Sequence, residues 1–100
     1  MDKNIERIND MEQRLVRQEE FAKKMNKMLE EYKENFSDFE KLEKYYYSKE
    51  YMEDLKLDQE GKLEDIPRGV LSEDLVYDLM GEYYNIGIEM LELGLKTVKR

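Results

Sequence analysis

The 100 residues carry 25 acids against 17 bases, a net charge of −8 at pH 7, with no histidine and no cysteine. Disulfides, thiolate catalysis and thiolate metal sites are excluded together, and so is the usual acid–base group and metal ligand of neutral pH. One such chain makes one domain, and its negative charge disfavours direct contact with nucleic acid or anionic membranes.

Charged residues make up 42% of the chain and the mean hydropathy is −0.94, values that suit either disorder or long solvated helices. Eight Tyr and three Phe decide for the helices. The N-terminus is charged from Asp2 onward, unlike a signal peptide, and no apolar run approaches the roughly 20 residues of a membrane span. A cytoplasmic protein is the expectation.

From Ile5 to Phe39 apolar residues recur at alternating steps of three and four. One row is Ile8, Leu15, Ala22, Leu29 and Phe36; the other is Met11, Gln18, Met25, Tyr32 and Phe39. This heptad seam predicts one amphipathic helix over about 5–36. Gln18 and Ala22 interrupt it, and a polar seam residue of this kind fixes register in a coiled coil. Ser37 and Glu40 have the spacing of a capping box, which places a break near Phe36 and a second helix over about 38–47. Ser48 then caps a third, short helix over about 49–59, and 60–71 reads as a loop punctuated by Gly61, Pro67 and Gly69.

The last helix is expected over about 73–98. Ser72 is an N-cap by type, with Leu71 and Val76 as the hydrophobic staple around it. One apolar row runs Val76, Leu79, Tyr83, Ile86, Met90 and Leu93; a second runs Met80, Tyr84, Gly87, Leu91, Gly94 and Val98. A helix apolar on two faces is central to a bundle or meets another subunit. Gly87 and Gly94 each cost about 1 kcal/mol against Ala, a cost offset only where another helix approaches closely.

The first helix alone would span roughly 48 Å, against a radius of gyration near 13 Å for a compact chain of this length. The expected architecture is therefore all-α: an elongated, coiled-coil-like antiparallel bundle of two long helices and a shorter interrupted one, a single domain over 1–100, self-associating.

Chemical sites are harder to find. The segment KLDQEGKLEDIP around Gly61 resembles a calcium loop only superficially, because Lys56 and Pro67 occupy the positions that need Asp and a bidentate Glu. The carboxylates of the first helix lack the histidine partners of di-metal bundles and alternate with Lys and Arg, as solvated faces do. No catalytic, cofactor or metal residue is expected.

Two surfaces stand out instead. Tyr45, Tyr46, Tyr47 and Tyr51 form the densest aromatic cluster, and with Gly87, Leu91 and Gly94 they make the candidate interface. Residues 35–95 hold sixteen acids against six bases, whereas residues 1–34 are near balance. Glu50, Glu53, Asp54 and Asp58 are the candidate acidic surface for a partner. The leading expectation is a non-enzymatic helical protein-interaction protein that binds itself. The alternative is an acidic, nucleic-acid-mimicking inhibitor, phage-encoded, whose partner is a basic nucleic-acid-binding protein.

Tyr46, Tyr47 and Ser48, then Asp54, then Gly69 through Asp74 (GVLSED) resemble a family of small bacterial proteins known only as a domain of unknown function, common in Gram-positive bacteria. The resemblance covers about the last two-thirds of the chain, with Tyr51 where the family often has Trp. It implies a helical fold and a bacterial or phage source, and carries no activity and no catalytic residues.

Overall fold

The computed structural model describes residues 2–100, and among them the chain is all-α, with no strand. Helix α1 runs Lys3–Tyr46, α2 Lys49–Gln59 and α3 Leu75–Val98, with a single 3-10 turn at Gly69–Leu71. The residues fall into two units, one ending at Asp38 and one running from Phe39 to Arg100.

The first unit is helical from Lys3 onward, and none of the described residues of α1 is buried. The expected break near Phe36 does not occur: Ser37 and Glu40 are exposed positions inside a continuous helix rather than a capping box. The reason is energetic. A capping box stabilises a helix start only where the preceding helix has already ended, and no Gly or Pro stands between Ile5 and Tyr46 to end it. Ser and Asp inside a helix cost only some tenths of a kcal/mol each, about 0.7 or less, so the helix runs on.

It does end at Tyr46. Ser48 takes the extended conformation of an N-cap, and its Oγ accepts the Tyr51 amide at 3.1 Å while donating to the Tyr45 carbonyl at 2.6 Å. One hydroxyl thus closes α1 and opens α2. The far end of α2 closes on Gly61, at φ +73°. The Gly61 amide donates to the Asp58 carbonyl and the Lys62 amide to the Leu57 carbonyl, at 3.0 and 3.1 Å. This paired pattern is a Schellman cap, which requires the left-handed residue that glycine supplies without strain.

Within the second unit the core is small: Val76, Leu71 and Tyr51 are buried, at 4, 7 and 8% exposure. The 3-10 turn is its hub, contacting both α2 and α3 and placing Leu71 between them. Phe39, in the last turns of α1, stacks on Tyr83 of α3 with ring centroids 4.1 Å apart.

Helix α3 starts at Leu75, two residues later than its sequence signals suggest, with Asp74 at the cap position and no capping bond from its side chain. Ser72 Oγ accepts the Asp74 and Leu75 amides at 3.4 Å each, long bonds from an extended residue. Its amide meanwhile donates to the Gly69 carbonyl at 3.0 Å, so Ser72 closes the 3-10 turn.

Candidate interaction surface

The tyrosine cluster is built by the α1–α2 corner. Reversal of the chain at Tyr47–Ser48 brings Tyr45 and Tyr46 onto Tyr51, with ring centroids 5.6 and 5.2 Å away. The Tyr45 ring meets Tyr51 edge-on, the geometry aromatic quadrupoles favour. Its hydroxyl donates to Asp54 Oδ2 at 2.6 Å. Burial, then that hydrogen bond and the carboxylate's charge, push the Tyr45 phenol up to about 12. The Tyr46 phenol is raised as well, by desolvation first and then by Tyr51 and Tyr47.

Most of the cluster is therefore internal to the second unit. Tyr51 is a core residue rather than an interface residue, and Tyr45 and Tyr46 are half-buried beside it; Tyr47 stays on the surface. The acidic set divides in the same way. Asp54 accepts the Tyr45 hydroxyl, and Asp58 pairs with Arg68 at 2.5 Å, tying the loop after α2 back to the helix. Glu50 and Glu53 are exposed. Neither the Tyr45–Asp54 bond nor the Asp58–Arg68 pair was read from the sequence. The only available signal was a turn between Tyr45 and Asp54, and a spacing of nine residues becomes a contact only once the corner angle is known.

Along α3 burial fades toward the C-terminus. Val76 is buried and Leu79, Met80 and Tyr83 are half-buried, but Ile86, Ile88 and Met90 are exposed, and Leu91 and Val98 are 72 and 83% exposed. Gly87 and Gly94 lie on this outer stretch, and a Cβ built at either would meet nothing within 4 Å. Among the described residues none makes the close approach that would explain these glycines. In α1 the seam residues Ile8, Met11, Leu15, Met25 and Leu29 are exposed, joined by Phe21 and Met28 on a flanking face.

A substrate site has no comparable support. The groove lined by Lys41, Lys44, Tyr45, Ser48 and Glu50 is open, and that at Tyr32, Lys33 and Phe36 lies on one helix surface. Among the described residues no group of three or more acids is arranged to hold a metal ion, and no helix is long and apolar enough to cross a membrane.

The fold and these surfaces define an all-α protein whose distinctive feature is exposed apolar helix surface rather than a pocket. The family described as domain of unknown function DUF4298 matches residues 8–93, and the chain belongs to it. No curated protein and no solved structure matches the chain.

Proposed function

We propose that this is a non-enzymatic, cytoplasmic protein-interaction protein of bacterial or phage origin that works as a self-associated helical assembly. One observation carries the reading: two long helices present regular apolar rows to solvent, while only three described residues are buried. Contiguous apolar surface on this scale marks an interaction site. At about 25 cal/mol per Å², burying it against another helix is stabilising. Replacing Leu15 and Leu29 together by Glu is expected to convert an associated species into a monomer in light scattering, with helix content in the second unit retained. An unchanged mass in the double variant would defeat this reading.

The acidic-inhibitor reading draws support from the charge of residues 35–95. It is the weaker of the two, because Asp54 and Asp58 already have partners within the chain. It requires that Glu50→Lys with Glu53→Lys abolish capture of a basic nucleic-acid-binding protein at low salt.

A further inference from the structure

We infer that the first-unit seam pairs with the same seam of a second copy, in parallel and in register, over Ile8–Leu29. This rests on the self-association reading and adds the orientation and the register.

Taking Ile8, Leu15, Ala22, Leu29 and Phe36 as the a positions puts Met11, Gln18, Met25 and Tyr32 at d. Arg7 and Arg14 then stand at g, and Glu12 and Glu19 at e. In a parallel in-register pair each g residue faces the e residue five positions on in the other helix. Arg7 therefore meets Glu12, and Arg14 meets Glu19, each twice by symmetry. The remaining facing pairs, Phe21 with Asn26 and Met28 with Lys33, bring no like charges together. The Lys33 methylenes can lie along Met28 while the ammonium stays in water.

An antiparallel pair fits the same residues less well. There e faces e and g faces g, and no acid stands at any g position between Arg7 and Asn35 to meet the two arginines. The seam itself gives a second, independent argument. Antiparallel packing sets d against a, where every residue is apolar, so the Gln18 amide meets no polar partner. Parallel in-register packing sets Gln18 beside its own copy, where the two amides can bond to each other, and any slip in register leaves both without partners.

In the single chain Arg14 Nε pairs with Asp10 Oδ2 at 3.3 Å, with both side chains at least half exposed. Such a pair is weak enough to be exchanged for one across the dimer.

The chain has no cysteine, so one introduced thiol reports alone. Met11→Cys and Met25→Cys, prepared separately and oxidised gently, are each expected to give disulfide-linked dimers in high yield, because d faces d in both layers. Sedimentation of the unsubstituted chain is expected to give a two-chain mass. A two-chain mass with neither variant cross-linking would overturn the parallel register while leaving self-association standing. A one-chain mass would overturn both.

Discussion

Tyr45 and Asp54 show how a single pair can hold a corner. Their 2.6 Å bond joins the end of α1 to the middle of α2, with Tyr51 packed beside it. Tyr45→Phe removes the donor and is expected to lower stability by about 1 kcal/mol, read as a shift in the urea midpoint. The pH dependence follows from the raised phenol. The neutral hydroxyl is favoured in the folded state, so its contribution is complete below the unfolded value near 10. It is lost as pH rises through the folded value of about 12. The midpoint should therefore decline across that window in the parent protein and decline less in Tyr45→Phe. Equal declines would remove Tyr45 from the account. Gly61 is the other single-residue lock: Gly61→Ala forces a Cβ into the left-handed region and should cost about 1–2 kcal/mol.

Among the elements, α1 is the one whose length the sequence understates. The heptad rows over Ile8–Phe39 were legible because period 3.5 leaves a strong mark, and so was the Ser48 cap, where one hydroxyl meets a real backbone break. The Ser37–Glu40 pattern was misleading because capping types also occur on exposed faces of continuous helices, as Ser37 does. Ser37→Ala discriminates the two roles: inside a helix it should be neutral or stabilising by up to about 0.5 kcal/mol, whereas loss of a cap would cost about 1 kcal/mol. Ser48→Ala should show that loss. The packed site was less readable. Leu71 and Val76 signalled a helix start, but that they and Tyr51 would be the buried residues depends on how the 3-10 turn meets α2 and α3. Leu71→Ala should accordingly destabilise the second unit by about 2 kcal/mol or more, seen in its thermal melt.

For the whole molecule, exposed apolar surface must be reconciled with a net charge of −8. The charge is unevenly placed: residues 1–34 are near neutral, and the excess acid lies beyond them. Two copies can therefore approach through their first units with little net repulsion, and excess like charge elsewhere opposes indiscriminate aggregation. Raising the salt should weaken the Arg–Glu pairs only modestly and leave the apolar seam intact, so association should persist in high salt. The most direct test is sedimentation equilibrium of the unmodified chain over a wide concentration range. The mass should rise with concentration from 12.2 kDa toward twice that value. A mass fixed at that of one chain throughout would contradict it.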